Sequence, residues 1–487
     1  MSDDARRGAA AVLHGWGGAV SSSAEVAPVR SVDALRAVFA RARREGRSVA
    51  LRGTGCSYGD ASLNAGGIVV DLTPFRRVLA FDPATGVVDA EPGVTVEDLW
   101  RLGLPHGWWP PVVSGTMYPT LGGALGMNIH GKNSFAVGTL GEHVEAFDLL
   151  TPQGDVVTCS RDARPELFRA AVGGFGMLGA FVRIRLRLKK VPGGRLKVTV
   201  HAPRNLAAMI ERFEADRADA DYLVGWIDGF ARGAALGRGV IHRGDYAGPE
   251  DDPEAAATLA LDRQALPPRL FGLVPRTWMW RLAVPLVNDL GMRAVNAAKF
   301  LSATLAARRK PYLQSHVAFA FLLDYVPNWK RSYGRGGLIQ YQSFIPADAA
   351  ERVHSELIRR SQEAGLIPYL LVYKRHRRDP YLLTHAVDGY SMAMDFRVTA
   401  SNRGRLWTLC RGFDDVVASA GGRFYFAKDA TLTRASFARS VPPAELAAFA
   451  ALKAELDPDN LLQTDLSRRV FAFAAAPAGR RTGGSTD

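Results

Sequence analysis

The sequence predicts an α+β protein of two domains that holds a large cofactor, and three observations carry that expectation. The chain has 487 residues, too many for one ordinary hydrophobic core. Residues 180–189 set Val182, Ile184, Leu186 and Leu188 against Arg183, Arg185 and Arg187, the alternation of a strand with one buried and one solvated face. Two glycine-rich segments stand out, Arg52-Gly53-Thr54-Gly55-Cys56-Ser57-Tyr58-Gly59-Asp60 and Gly122-Gly123-Ala124-Leu125-Gly126-Met127-Asn128-Ile129-His130-Gly131-Lys132-Asn133. Glycines let a backbone approach a ligand closely and turn N–H groups onto a phosphate. The His, Lys and Asn that close the second segment suit the ring system at the other end of a dinucleotide.

The first thirty residues are small and mostly polar. A helix is expected at 31–44, with Ser31 as N-cap and Val32, Leu35, Val38 and Phe39 on one face. Strands follow at 48–52, 68–72, 78–81 and 87–90, the last two joined by the Asp82-Pro83-Ala84-Thr85-Gly86 turn. A short helix is expected at 94–102, strands at 144–151 and 155–159, a helix at 166–172, and the arginine-alternating strand after it. Pro192-Gly193-Gly194 makes a natural domain break. The Ala-, Asp- and Pro-rich stretch 244–268 reads as a mobile insertion. Residues 283–307 form an apolar helical stretch, with Trp278 and Trp280 just upstream. A core helix is the first expectation there; a membrane-facing or substrate-covering element is the alternative, since basic residues flank it. Strands return at 338–345, 369–374 and 392–398, and a long helix at 406–420.

Composition narrows the function. Nearly half the residues are hydrophobic and 22% are charged, a globular profile. Three scattered cysteines, Cys56, Cys159 and Cys410, fit neither a disulfide framework nor a zinc site, so no metal is expected and a reducing compartment fits. The formal charge of +13 implies affinity for something anionic. No base-reading motif is present, so nucleic acid is not expected. The basic clusters Arg308-Arg309-Lys310 and Lys374-Arg375-His376-Arg377-Arg378 read as solvated surface, with a membrane surface or a phosphate-bearing substrate as the alternatives. No signal peptide or bilayer-length apolar run is visible, so a cytoplasmic protein is expected, peripheral at most at the inner membrane surface.

Gly174-Phe175-Gly176-Met177-Leu178-Gly179 matches GxGxxG but does not follow a strand or open a helix. A helix precedes it and a strand follows, which excludes a nicotinamide-binding Rossmann turn. The glycines are expected to make a tight turn, beside a cofactor or not.

The chain resembles the flavoproteins of vanillyl-alcohol-oxidase (PCMH) type. The resemblance begins at Gly15-Trp16-Gly17 and runs through 52–60, 114–133, 172–179, Gln340-Tyr341-Gln342, Met394-Asp395-Phe396 and 421–429. Its most specific strings are Ile129-His130-Gly131-Lys132-Asn133 and Tyr425-Phe426-Ala427-Lys428-Asp429. It implies a two-part PCMH-type FAD-binding domain at 1–192 and a substrate or cap domain on an antiparallel sheet at 193–420. A C-terminal segment, 421–487, would return to the FAD domain.

The cofactor implied is FAD. Gly53, Thr54, Gly55, Cys56, Ser57, Tyr58 and Gly59 would lie along its diphosphate, with Gly115, Thr120, Leu121, Gly122 and Gly123 as the second half of the cradle. Met127, Asn128, Ile129, His130, Phe181 and Tyr425 would reach the flavin and the adjoining sugar pocket. Lys428 and His130 would be catalytic, and Gln340, Gln342, Lys374, Ser391 and Ala393 would line the substrate. Covalent relatives carry a histidine at the position of Cys56, and a thiol can in principle bond the flavin too; the resemblance to relatives with a non-nucleophilic residue there implies a non-covalent flavin.

The activity implied is oxidation of a secondary alcohol on a polyprenyl-phosphate-linked pentose, by hydride transfer to flavin N5. Lys428 would serve as a cation at the developing alkoxide or as a base. Electrons would pass to a quinone or to oxygen, and a short-chain reductase is the implied partner. Two departures fall in the pocket, Ala393 in place of a cysteine and Ser391 in place of an asparagine, and a tyrosine is replaced near Ala320. They fall in the substrate pocket and leave the flavin-contacting strings unchanged. A flavin enzyme for a polyol, an aldonolactone or a sterol-like side chain stays open, as does a non-enzymatic anionic-lipid-binding homologue.

Overall fold

Three sheets carry the structure, a computed structural model that describes residues 8–270, 273–471 and 473. The first has the order Ala9–His14, Ser21–Pro28, Ile68–Asp71, Val49–Arg52, with the last three strands parallel. The helix Val32–Arg44 closes its crossover. Ser31 accepts from the Ala34 N–H, and Leu35, Val38 and Phe39 are buried against the sheet. The two N-terminal strands were not legible, because their Ala and Ser residues carry little apolar contrast.

The second sheet is antiparallel, in the order Val78–Asp82, Val87–Ala90, Ala180–Arg187, Val144–Leu150, Val156–Ser160. In its central strand Val182, Ile184 and Leu186 are buried while Arg183 and Arg185 pair with Asp89 on the other face.

The third sheet has eight antiparallel strands. Their order is Tyr312–Ser315, Arg195–His201, Gly239–Tyr246, Tyr222–Ile227, Leu370–His376, Gly389–Arg397, Leu338–Pro346, Arg423–Phe424. Helices Leu206–Asp216, Ala347–Glu363 and Arg403–Ser419 cover one face, burying Phe213, Leu357 and Phe413. Successive strand residues point to opposite faces, so Tyr341, Tyr373, Met392 and Met394 go to these helices. The Tyr341 hydroxyl donates to Asp414 at 3.0 Å and the Tyr373 hydroxyl pairs with His354 at 3.1 Å. The opposite face, with Gln340, Gln342, Lys374 and Ala393, turns toward the first two sheets.

The stretch 244–268 begins inside the sheet strand Gly239–Tyr246. Gln264 donates to the carbonyls of Gly194 and Thr258, and Thr258 accepts from the Gly194 N–H. The helix Asp289–Ala306 is not a core helix, since it buries only Asn296 and Ala303. The cluster at 374–378 is not simply solvated surface: Lys374 and His376 face inward, and Arg375 is buried against Glu214 and Asp388. Among the described residues no helix is long and apolar enough to cross a membrane.

The C-terminal segment joins the parts. Arg423–Phe424 adds a strand to the third sheet, Leu462 bridges Val49 in the first, and the Tyr58 N–H donates to the Ala427 carbonyl at 2.7 Å. Gly59 lies against the Asp429 carbonyl so closely that an added Cβ would sit 1.6 Å from it. Backbone cannot yield as a flexible side chain does, so Gly59→Ala should destabilise the protein by about 1–3 kcal/mol. An unchanged denaturant midpoint would show that the two segments do not pack in this way.

Candidate active site

A cavity of about 450 Å³ opens where the three sheets meet. Its floor is the glycine loop, 52–60. Arg52 props this loop from below, donating to the His14 carbonyl and to Ser62 Oγ. Gly55 sits directly over that guanidinium at φ 70°, where a Cβ would lie 2.2 Å from the Arg52 side chain. Only glycine fits both the backbone angle and the space. The N–H groups of Thr54, Gly55, Cys56 and Ser57 find no acceptor among the described residues. A run of unpaired N–H groups on a concave turn is an anion site.

The second wall is the short helix Leu121–Gly126. Thr120 caps it, accepting from the Gly123 N–H. Gly122 has no room for a side chain, with Pro92 2.7 Å from its would-be Cβ. Gly123 differs: its Cβ would meet only Thr120 Oγ1, at 3.1 Å, and otherwise point into the cavity. Phe175, Gly176, Gly179 and Phe181 complete this side, so the turn that mimics a Rossmann motif lies in the cavity wall.

The roof is the inner face of the eight-stranded sheet. Cross-strand register sets its residues in rows: Gln340, Asp395 and Leu370; then Gln342, Ala393, Val372 and Trp226; then Phe344, Ser391 and Lys374. Gln342 donates to His130 Nε2 at 3.1 Å and to Ser391 Oγ at 3.3 Å, and the Ser391 hydroxyl reaches His376 Nε2 at 2.8 Å. His130 packs edge-on against Phe344, His376 and Tyr425. Burial, reinforced by the charge of Lys374, drives its basicity well below the ordinary range, so the ring is neutral.

Lys428 enters from the C-terminal segment with its Nζ 3.8 Å from the centre of the Tyr58 ring. The opposite charge that acts on it most strongly is Asp395, which accepts a hydrogen bond from Gln340 and has its other oxygen unpartnered among the described residues. Burial pushes the Lys428 ammonium down and the Asp395 carboxyl up, and each opposite charge opposes the other's shift. Burial alone brings Lys374 down to about 8. Lys132 is pushed well down by the same cause and donates to the Phe319 and Ala320 carbonyls.

Gly53, Thr54, Gly55, Cys56, Ser57, Tyr58, Gly115, Thr120, Gly122, Gly123, Met127, Ile129, His130, Phe181, Gln340, Gln342, Lys374, Ala393, Tyr425 and Lys428 all line this one cavity. Four expected residues do not. Gly59 faces the Asp429 carbonyl, and Leu121 is turned into the core with its N–H on the Val94 carbonyl. Asn128, at φ 45°, braces the loop from behind by bonding Thr139, Asp379 and the Gly141 N–H. Ser391 stands behind Gln342. Ala320 offers only its carbonyl to Lys132, and Leu322 and Leu323 reach the cavity in its place.

Sequence reasoning missed Trp226, His376, His385 and Asp395. Period-two spacing from Lys374 points to Val372 and His376, and from Ala393 to Asp395. Nothing local marks Trp226 or His385.

Unpaired N–H groups on a glycine turn, a glycine open to the cavity, and a polar roof are features that suit a dinucleotide. The fold and this site define an FAD-dependent oxidoreductase. A family profile described as an FAD binding domain matches residues 23–160. The chain is 31% identical over 469 residues to the decaprenylphosphoryl-beta-D-ribose oxidase of Mycolicibacterium smegmatis, spanning 94% of this chain and 97% of that protein. It is 31% identical over 391 residues to an uncharacterised protein of Streptomyces coelicolor, 77% of this chain and 100% of that one. Over 151 residues it is 37% identical to cytokinin dehydrogenase 6 of Oryza sativa subsp. japonica, 30% of this chain and 29% of that protein. The chain belongs to the PCMH-type, vanillyl-alcohol-oxidase family of FAD-binding oxidoreductases. A non-enzymatic lipid-binding role is thereby set aside.

Because position 123 opens on the cavity rather than on protein, Gly123→Val should give folded but colourless protein. Absorbance in the flavin bands, read beside far-UV circular dichroism, tests this. Full flavin content in that variant would remove the residue from the cofactor site.

Proposed function

We propose that the enzyme oxidises a secondary alcohol on a sugar carried by a polyprenyl phosphate. The observation that carries this reading is the company of Lys374 and Lys428 with Gln340 and Gln342 in a cavity that is also lined by the apolar Leu370, Val372, Trp226 and Leu322. The Lys374 ammonium suits a phosphate, the Lys428 amine a hydroxyl proton, carboxamides suit sugar hydroxyls, and the apolar wall suits a lipid chain. The full-length similarity to an oxidase of a decaprenylphosphoryl ribose supports it.

FAD, when bound, would supply the two-electron acceptor for the carbinol hydrogen, with a quinone or oxygen as the final acceptor. The glycine loop at 53–57 and the wall at 120–123 hold its diphosphate. Its attachment is non-covalent: burial pushes the Cys56 thiol up, so the nucleophilic thiolate is disfavoured. Lys428 receives the hydroxyl proton, because burial makes its neutral amine accessible, and Asp395 stabilises the ammonium that forms. Gln342, fixed between His130 and Ser391, orients the sugar. Ala393 presents a methyl group, which leaves no thiol at this position. The ketone formed is a substrate for a carbonyl reductase, and a short-chain reductase is the partner proposed.

Two measurements test the assignment. Lys428→Ala should keep its FAD, released by acid into the supernatant, and lose about 10²- to 10⁴-fold in anaerobic flavin reduction by substrate. Reduction at the unmutated rate would make Lys428 a bystander.

The second measurement is pH dependence. Lys374 is charged below about 8 and neutral above it. KM for a phosphate-bearing substrate should therefore rise as pH passes upward through that value, and Lys374→Gln should show a uniformly high KM without this limb. A KM profile identical in the two proteins would place the phosphate elsewhere.

A further inference from the structure

The surface beside the cavity mouth departs from the rest of the molecule. Eleven of the eighteen exposed large hydrophobic residues among the described residues fall within 273–313. The same stretch holds seven Lys and Arg residues against one acid, Asp289. In the helix Asp289–Ala306, Leu290, Ala294, Ala297, Leu301 and Leu305 recur at three- and four-residue spacing and form one outward stripe. Leu290 is 79% exposed, Leu301 61% and Leu305 52%. A helix that meets water places charged residues on its outward stripe. This one does the reverse.

The inward side of the same helix meets the cavity. Lys299 lines it, with its Nζ 4.4 Å from the centre of the Trp226 ring. Leu322, half exposed, lines the same cavity. The helix that bears the apolar stripe thus also contributes to the cavity lining. Arginine and tryptophan border it: Arg281 lies 4.9 Å from the Trp280 ring centre, and Trp278 is 61% exposed. Such amphipathic side chains are favoured at the boundary between lipid and water.

We infer that residues 273–313 dock this enzyme on the surface of a bilayer containing anionic lipid, with the Leu290–Leu301–Leu305 stripe in the acyl boundary and the Arg308-Arg309-Lys310 cluster on the headgroups. The element lies on the membrane without crossing it. A second copy of the chain fits less well. A two-fold interface would set this basic face against itself. Docking here brings the cavity mouth to the lipid surface, where a polyprenyl-linked substrate resides. The inference rests on the proposed substrate class for its purpose, though not for its test.

The test uses full-length FAD-loaded protein and vesicles without substrate. The unmutated protein should sediment with vesicles of phosphatidylcholine containing about 30 mol% phosphatidylglycerol, and less with pure phosphatidylcholine or in high salt. The variant Leu290→Gln/Leu301→Gln/Leu305→Gln should bind at least about tenfold more weakly at unchanged flavin absorbance and melting temperature. Arg308→Glu/Arg309→Glu/Lys310→Glu should lose the preference for anionic vesicles. Equal sedimentation of the leucine variant, or none by the unmutated protein, would overturn the inference. So would a dimer in light scattering that the leucine variant converts to monomer, because the stripe would then be covered by a second copy. Flavin reduction by a short-chain, water-soluble substrate analogue is read separately. Vesicle binding without that activity would count against the substrate proposal alone.

Discussion

The crossing of the glycine loop with the C-terminal segment is the contact on which the site depends. The loop ends at Asp60, the segment carries Asp429 and Arg469, and the guanidinium of Arg469 bonds both carboxylates, at 2.7 and 2.8 Å. Two acids brought together would repel; the shared arginine turns that repulsion into a clamp. Burial pushes the Asp60 carboxyl up, while the arginine draws it back toward ionisation. The backbone bond from Tyr58 to Ala427 lies just inside this clamp, and just inside that Lys428 reaches over the Tyr58 ring. A residue near the end of the chain is thus held over a floor laid down near its beginning. Removing one member of such a partly buried ionic group typically costs several kcal/mol.

The roof of the cavity follows from a different constraint, the two-residue period of strands. On Leu338–Pro346, Leu370–His376 and Gly389–Arg397 one residue set is mostly aromatic, methionine or aliphatic, with Ser343 and Arg375 as its polar members, and packs on helices, while the other carries Gln340, Gln342, Lys374, Ser391 and Asp395. Buried lysines and carboxylates are costly unless paired or solvated. Here the polar set faces a cavity, and Asp395, Gln340 and Lys428 answer one another. A one-residue slip of any of these strands would exchange the sets, so helix packing on the outer face holds the chemistry on the inner one in register.

How much of this was legible depends on how local each cause is. The helix at 32–44 and the central strand at 180–187 were readable because cap and periodicity lie within a dozen residues. The glycine segments were readable because backbone close to a ligand needs glycine, a demand written directly into residue type. The strands at 9–14 and 21–28 were not, since small residues carry no periodic contrast. The helix at 289–306 was misjudged as core, because apolar content reports what avoids water without saying what covers it.

The sequence by itself determined the α+β alternation, the glycine loops with the dinucleotide chemistry they permit, and, through long matching segments, the flavoprotein family. Tertiary structure alone decided which polar residues share a cavity. Gln340, Lys374 and Lys428 are separated by tens of residues, and only cross-strand register and the Arg469 clamp bring them to one place. It likewise turned Asn128 and Ser391 away from the cavity to brace the residues that line it. Residue type states what a side chain can do; long-range pairing, with no short-range signal in the chain, settles what it faces.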